Sequence, residues 1–444
     1  MNDSSNPNVV VIGLGYVGLT LAVALAQRGV RVFGIEKRQD VVDATNAGKP
    51  HFSEVGLEPA LSAVVRSGHF KASTEVGDAP AADYYIITVG TPLKAGTREP
   101  RLDMIEQATR EVASHMRDDA SVILRSTVRI GTTRQIVKPI LEATGRPFHL
   151  AMCPERTLEG DALHELAILP QIVGGMSARA NDLAAALFSR LTSTQVRVSD
   201  PETAEMIKLI DNTSRDVRFA FANEVARACD AVGINAHEVI RFGKLGYERT
   251  DVAVPGLVGG PCLEKDPHIL LSSLADRDLN LEITAAARQV NERQPKETAA
   301  AILGKMKQAG PGPYTVTVAG IAFKGRPETD DLRGSMSLRV IEELLALDEV
   351  ETVTVYDSVV RRGDLEALPH DVAVADDFYE ACEGANAVII ANNHPSLSAI
   401  DLDACIARMK PGGFVYDYWN SLGDRPREVL AGNYFVVGNL VGTF

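Results

Sequence analysis

Four β-branched residues, Val9-Val10-Val11-Ile12, run directly into Gly13-Leu14-Gly15-Tyr16-Val17-Gly18. A continuous apolar run of this kind suits a strand buried on both faces of a parallel sheet. A helical pattern follows over Leu19–Gln27, then a second strand pattern over Val30–Ile35. Strand, helix and strand within about 30 residues make one βαβ unit, and G-x-G-x-x-G at the strand-to-helix junction is the dinucleotide fingerprint in its required setting. The three glycines serve different ends. Gly13 permits the tight turn, Gly15 lets backbone approach a pyrophosphate, and Gly18 lets helix and strand pack closely. Tyr16 and Val17 complete the loop at the helix N-terminus, whose unpaired N–H groups face the phosphates. Glu36 ends the second strand, where an acid accepts ribose hydroxyls and repels a 2′-phosphate. NAD is therefore expected over NADP, although Lys37 and Arg38 weaken that discrimination.

With 444 residues the chain is too long for one compact core. Further strands are expected at Tyr84–Val89 and Ser121–Arg125, which carries a doubly wound α/β domain to about residue 200. From Glu202 to Val232 there is no Gly or Pro, and Met206, Leu209, Ile210, Val217, Phe221 and Val225 recur at helical spacing. One long helix is expected there, opening a helical segment over 201–307 that is interrupted by the Pro- and Gly-rich stretch Val254–Cys262. Gln308-Ala-Gly-Pro-Gly-Pro313 reads as a linker. A second α/β pattern then begins: a strand at Tyr314–Ala319, a helix over Ser335–Leu347, and strands at Thr352–Tyr356 and Ala387–Ala391. The fold class is thus α/β, with two Rossmann-like domains, 1–200 and 314–444, joined by a central helical segment.

The formal charge of −14 repels nucleic acid and anionic membranes, so any anionic ligand needs a pocket that concentrates Arg, Lys and N–H groups. Five scattered cysteines with no C-x-x-C pair suit neither a disulfide framework nor a metal site, and fit a reducing cytoplasm. Met1-Asn2-Asp3-Ser4-Ser5 does not open a signal peptide, and no apolar run reaches the roughly 18 residues of a membrane span.

The most informative stretch is Val258-Gly259-Gly260-Pro261-Cys262-Leu263-Glu264-Lys265-Asp266-Pro267. Paired glycines and a proline put Cys262 on a constrained turn open to a ligand, and Asp266, four residues on, falls on the thiol's side if the turn is helical. Taken alone, a cysteine in such a loop is more often structural than catalytic.

Residues 259–266 nevertheless match G-G-x-C-L-x-K-D at every specified position, and here the chain resembles the UDP-glucose/GDP-mannose dehydrogenase family of nucleotide-sugar 6-dehydrogenases. The resemblance takes in Gly13–Gly18, Val89-Gly90-Thr91-Pro92, Ser126-Thr127, Pro154-Glu155-Arg156, Lys208-x-x-x-Asn212, Phe323-Lys324 and Asp331-Leu332-Arg333. It implies four-electron oxidation of a sugar CH2OH to a carboxylate. Cys262 holds the intermediate aldehyde as a thiohemiacetal and then as a thioester.

Carried over from the resemblance, Lys208 and Asn212 face the developing alkoxide, as cation or proton carrier and as amide donor. Without it, this i, i+4 pair would read as a solvated helix face. Glu155 and Thr127 are implied to orient water and serve acid–base steps, and Asp266 to hold water or tune Cys262 and Lys208. Thr91, Thr127 and Arg333 are implied on the NAD side; Glu155, Lys208, Asn212, Gly259, Gly260 and Lys324 on the substrate side. Arg249 stands where a partner subunit's arginine enters the site in a homodimer built on the long helix. Cys153, at the end of an apolar strand, is expected to pack only. The substrate implied is a nucleotide-diphosphate hexose. Cys153–Gly160 resembles members acting on UDP-N-acetylhexosamines (mannosamine or glucosamine), whereas Pro261 and Leu263-x-Lys265-Asp266 lean toward UDP-glucose; dTDP-glucose and GDP-mannose are alternatives. Readings from other classes are a two-electron hydroxyacid dehydrogenase and a non-catalytic nucleotide-sugar sensor.

Overall fold

A computed structural model describes residues 6–94, 96–277, 279–423 and 432–438. Met1–Ser5, read above as a polar start without a leader, lie outside the described residues. The chain forms two compact units: residues 1–212 with 268–280, and residues 213–267 with 281–444. The helical segment expected at 201–307 is therefore divided between them.

The first unit holds eight strands: β1 (Asn8–Ile12), β2 (Arg31–Ile35), β3 (Phe70–Ser73), β4 (Tyr84–Ile87), β5 (Ala120–Leu124), β6 (Phe148–Met152), β7 (Gln171–Gly175) and β8 (Gln195–Arg197). Their order is β3-β2-β1-β4-β5-β6-β7-β8. Every pairing is parallel except β6 with β7, where Ala151 lies opposite Gly175. The strand order reverses at β1–β4, the switch point where ligands bind in doubly wound sheets. β1 pairs in register with β2 (Ile12 opposite Ile35) and with β4 (Ile12 opposite Ile87). Val9 and Val11 pack into one hydrophobic core and Val10 and Ile12 into another, one on each face of the sheet, which is why that run carries no polar alternation.

The second unit holds β9 (Tyr314–Ala319), β10 (Val350–Tyr356), β11 (Ala373–Val374), β12 (Ala387–Ile390), β13 (Phe414–Asp417) and β14 (Tyr434–Val436). They form a parallel sheet in the order β11-β10-β9-β12-β13-β14. It has the same switch, between β9 and β12, and an acid again ends the strand beside the first. Asp357 follows β10 and accepts from the N–H groups of Ile321, Ala322, Val359 and Val360 at 2.6–3.0 Å.

The long helix spans Pro201–Val232, one residue beyond the sequence reading, and the following helical segment runs farther than expected, over Glu282–Ala309 with Pro295 inside it. The linker shortens accordingly to Gly310–Pro313. Among the described residues no helix is long and apolar enough to cross a membrane, and no cluster of three metal-ligating side chains occurs.

Candidate active site

In the first unit the fingerprint loop leaves the carboxyl end of β1. Gly13 has φ +91°, a conformation that a side chain disfavours, and its N–H donates to the Ile35 carbonyl at 2.7 Å. A Cβ on Gly18 would lie 1.8 Å from the Gly13 carbonyl oxygen, whereas a Cβ on Gly15 would meet nothing within 4 Å. The loop therefore needs Gly13 for its turn and Gly18 for packing, and leaves open space beside Gly15. Glu36 accepts from Leu14 N–H at 3.1 Å and Arg38 N–H at 3.2 Å, which fixes the acid beside the loop. Tyr16 stacks on Phe52 with ring centroids 4.0 Å apart. The loops after β4 and β5 are tied together: Thr91 Oγ1 donates to the Thr127 carbonyl and Ser126 Oγ to the Val89 carbonyl, both at 2.6 Å.

Glu155 is buried one loop farther along. Its Oε2 accepts from Arg125 Nε and Nη2 at 2.9 and 2.6 Å, and its Oε1 from the N–H groups of Arg156 and Thr157 at 2.7 and 2.9 Å. Burial pushes its pKa up, but Arg125 and the two N–H donors outweigh burial, and the net shift is downward. All four lone-pair positions are occupied. A carboxylate so held is ionised and fixes its turn, and it has no spare acceptor for a water or a proton in transit. The sequence reading missed Arg125, which also donates to the Cys153 carbonyl and Gln171 and lies over the Phe188 ring. A lone cation ending an otherwise apolar strand was the available signal. Cys153 is itself buried, its thiol pushed up to about 12 by burial against the opposing pull of Arg125, so it stays protonated.

The long helix carries a buried polar stripe. Glu205, Lys208, Asn212, Asp216 and Asn223 are each at most 7% exposed, and at about 100° per residue they share one face. Lys208 and Asn212 therefore do not form the solvated face that their spacing alone suggests. Glu205, also missed, accepts from Gly131 N–H at 2.5 Å and from Thr133 N–H and Oγ1–H at 2.8 and 2.6 Å, and so holds the segment that follows Thr127. Burial pushes its pKa up to about 7, only partly offset by those donors.

The cysteine loop belongs to the second unit. Asn223 clamps Gly256 from both sides, accepting from its N–H at 2.9 Å and donating to its carbonyl at 3.1 Å. Buried Arg288 donates to the Leu263 carbonyl at 3.0 Å and to Asp216 at 2.6 Å. A Cβ on Gly259 would sit 2.5 Å from the Gly334 carbonyl oxygen, and one on Gly260 would sit 2.4 Å from the Phe323 ring. On the side where a Cβ would stand, the paired glycines thus admit the protein's own 323–336 loop. Cys262 is exposed while the four other cysteines are buried. The i, i+4 reading of Cys262 and Asp266 needs correction. The helical turn Gly260–Leu263 is broken by a turn at Glu264–Lys265, and Asp266 opens the next helix, buried, with Lys265 Nζ on its Oδ1 at 2.6 Å.

Of the remaining candidates in this unit, Arg249 is exposed and lies 4.7 Å over the Tyr247 ring. Arg333 forks onto both oxygens of Asp331 at 2.7–3.0 Å, and Lys324 lies 5.2 Å from the centre of the Phe323 ring. Gly13–Gly18, Glu36, Thr91, Thr127, Glu155, Lys208 and Asn212 fall in the first unit; Cys262, Asp266, Arg249, Gly259, Gly260, Lys324 and Arg333 fall in the second.

Models of the UDP-glucose/GDP-mannose dehydrogenase family match the chain as an NAD-binding domain over residues 7–192, a central domain over 202–293 and a UDP-binding domain over 317–424. A UDP-N-acetyl-D-mannosamine dehydrogenase of Pyrococcus horikoshii is 34% identical over 403 residues, 89% of this chain and 91% of that protein. An NDP-N-acetyl-D-galactosaminuronic acid dehydrogenase of Ralstonia nicotianae is 30% identical over 413 residues, 90% of this chain and 94% of that one. The solved structure of the UDP-D-ManNAc dehydrogenase of Pyrococcus horikoshii superposes with a TM-score of 0.87 at 32% identity, covering 98% of this chain and all of that one. With all three domains matched in order, this chain belongs to the UDP-glucose/GDP-mannose dehydrogenase family, the NAD-dependent nucleotide-sugar dehydrogenases.

Proposed function

We propose that this enzyme oxidises the C6 hydroxymethyl of a UDP-N-acetylhexosamine, N-acetylmannosamine first among them, to the uronate. The observation that carries this reading is Cys262, the exposed cysteine of five, on a turn pinned by Asn223 and Arg288. The sugar is favoured by the UDP-N-acetyl-D-mannosamine dehydrogenases among the relatives and by the Cys153–Gly160 stretch. UDP-glucose is the second reading, carried by Pro261 and the Leu263-x-Lys265-Asp266 pattern.

NAD, held by the Gly13–Gly18 loop and Glu36, would supply the hydride acceptor for each of two successive oxidations. Lys208 takes up the alcohol proton or offsets the alkoxide charge, and Asn212 donates an amide hydrogen to the same oxygen. The Cys262 thiolate adds to the aldehyde carbon, forming a C–S bond that persists through the second oxidation as a thioester. Water then breaks that bond, releasing the carboxylate and returning the thiol. Thr127 lines the path of that water. Ionised Glu155 acts by position and charge, and Asp266 sets the field around Lys265. Arg333 and Lys324 meet phosphates of the cofactor and the substrate respectively.

The working form is a homodimer in the cytoplasm, where a free Cys262 stays reduced. Phe221, Val239, Phe242, Leu245 and Tyr247 are 42–76% exposed on the helices and turn that precede the cysteine loop, an apolar surface suited to a second copy. Arg249 stands beside it. The test is a panel of UDP-, dTDP- and GDP-sugars with NAD, followed at 340 nm. Two NADH per UDP-N-acetylmannosamine support the proposal. One per substrate points to a two-electron dehydrogenase, none for any sugar to a sensor, and faster turnover of UDP-glucose to the second reading.

A further inference from the structure

The first sheet has a second concave site, at the end opposite the dinucleotide loop. A groove of about 590 Å³ opens under the amino ends of β1, β4, β5 and β6, floored by Leu183 and Leu187 of the helix Ala178–Phe188. Gly13–Gly18, Thr91 and Thr127 follow the carboxyl ends of the same strands, so neither the cofactor nor the sugar accounts for the groove.

Its lining is charged out of keeping with the chain. Arg117, Arg179, Arg190 and His149 line it together with Asp83 and Asp119, an excess of one positive charge with His149 neutral, in a protein of net −14. Arg117 is taken by Asp83, and Arg190 donates to Asn6 at 3.3 Å. Arg179 is exposed and makes no ion pair or side-chain hydrogen bond among the described residues. Tyr84, 9% exposed, also lines the groove, its hydroxyl donating to the Leu183 carbonyl at 3.3 Å. Ser121, on the wall, is only 2% exposed, and its buried hydroxyl has no hydrogen-bond partner among the described residues. A buried hydroxyl without a partner costs free energy that a bound acceptor restores. Guanidinium groups and a hydroxyl donor lining one groove are the chemistry that recognises phosphate oxygens.

We infer that this groove is a second ligand site, separate from catalysis, for a phosphate-bearing small molecule held by Arg179, Arg190 and Ser121. β1, β4 and β5 run from this groove to the cofactor loops at their other ends.

The probe is inorganic pyrophosphate, titrated calorimetrically into the full-length enzyme already saturated with NAD and UDP, which block the cofactor and substrate sites. One saturable site per chain is expected, weakened at least tenfold by Arg179→Ser with Arg190→Ser and severalfold by Ser121→Ala. Arg361→Ser, an exposed arginine elsewhere, should leave it unchanged. Arg179→Ser alone removes no ion pair or side-chain hydrogen bond among the described residues, so its weakened binding stands even if the double variant is unstable. The inference is overturned by the absence of saturable heat in the unmutated enzyme, by equal binding in Arg179→Ser, or by binding that weakens as UDP is raised.

Discussion

Arg125 directs both Nε and Nη2 onto a single oxygen of Glu155, and the pair is shut away from solvent, the arginine side chain 0% and the glutamate 9% exposed. Two charges in such a place are stable only together, since either one alone is an uncompensated buried ion. The pair anchors the start of the Pro154-Glu155-Arg156 turn and caps the Cys153 carbonyl at 3.2 Å.

Replacing Glu155 with Gln should cost roughly 3–5 kcal/mol in stability. The folded-state pKa of Glu155 lies below its ordinary value of 4.5, so its contribution is present above pH 4.5 and is lost as pH falls through the folded value. Denaturant midpoints measured from pH 3 to 8 should show an acid-side slope that is reduced in Glu155→Gln. An unchanged midpoint at pH 7 would contradict the pairing.

Glu205 has the opposite sign. Its folded pKa of about 7 stands above its ordinary 4.5, so the folded state holds the proton more tightly, and stability falls as pH rises between those values. Glu205→Gln should remove that fall: compared with the unmutated enzyme, it should gain stability from pH 5 to pH 8. Parallel pH profiles for the two proteins would mean that Glu205 titrates normally.

Cys262→Ser should lower NADH production by several orders of magnitude, because a serine hydroxyl is far less acidic than a thiol and its ester hydrolyses slowly. Cys153→Ser should keep turnover and lose about 1–3 kcal/mol of stability, since it places a hydroxyl in an apolar core. The reverse pattern would make Cys153 the nucleophile.

Glu36→Ala should narrow the preference for NAD over NADP, because the carboxylate that repels a 2′-phosphate is gone. The measurement is kcat/KM for both cofactors. Equal values in the unmutated enzyme would refute the assignment.

Phe242→Glu combined with Leu245→Glu should shift the protein from dimer to monomer in sedimentation velocity, since both side chains are more than half exposed in one chain. A monomer at micromolar concentration before mutation would remove the basis for the dimer.

Much of this was legible in the sequence, and the misses have physical causes. The reading placed β9 at Tyr314–Ala319 as observed and came within one residue of the start of the long helix, because buried parallel strands and long helices carry strong periodic signals. It passed over β7, a short strand that ends in Gly174 and Gly175. In the fold a Cβ on Gly174 would lie 2.5 Å from the Asp200 carbonyl oxygen, so that glycine serves close packing inside a strand. β8 was missed because Gln195 and Arg197 flank a single valine at a sheet edge. The inward turn of Arg125, the burial of Lys208 and Asn212, and the break after Leu263 depend on partners distant in sequence, which local spacing does not encode.

The fit of Gly259 and Gly260 against Phe323, Gly334 and Met336 sets a rule for recombining this enzyme with its relatives. The cysteine turn and the 323–336 loop are separated by about sixty residues but interlock as one die and its casting. A crossover placed in the linker at Gly310–Pro313 would bring a foreign loop against the native turn. Unless the borrowed loop kept the same small residues and ring, Cys262 would shift even though its own turn had not been exchanged. Segments 254–266 and 323–336 should therefore be inherited from the same parent in any chimera built to change the sugar or the base.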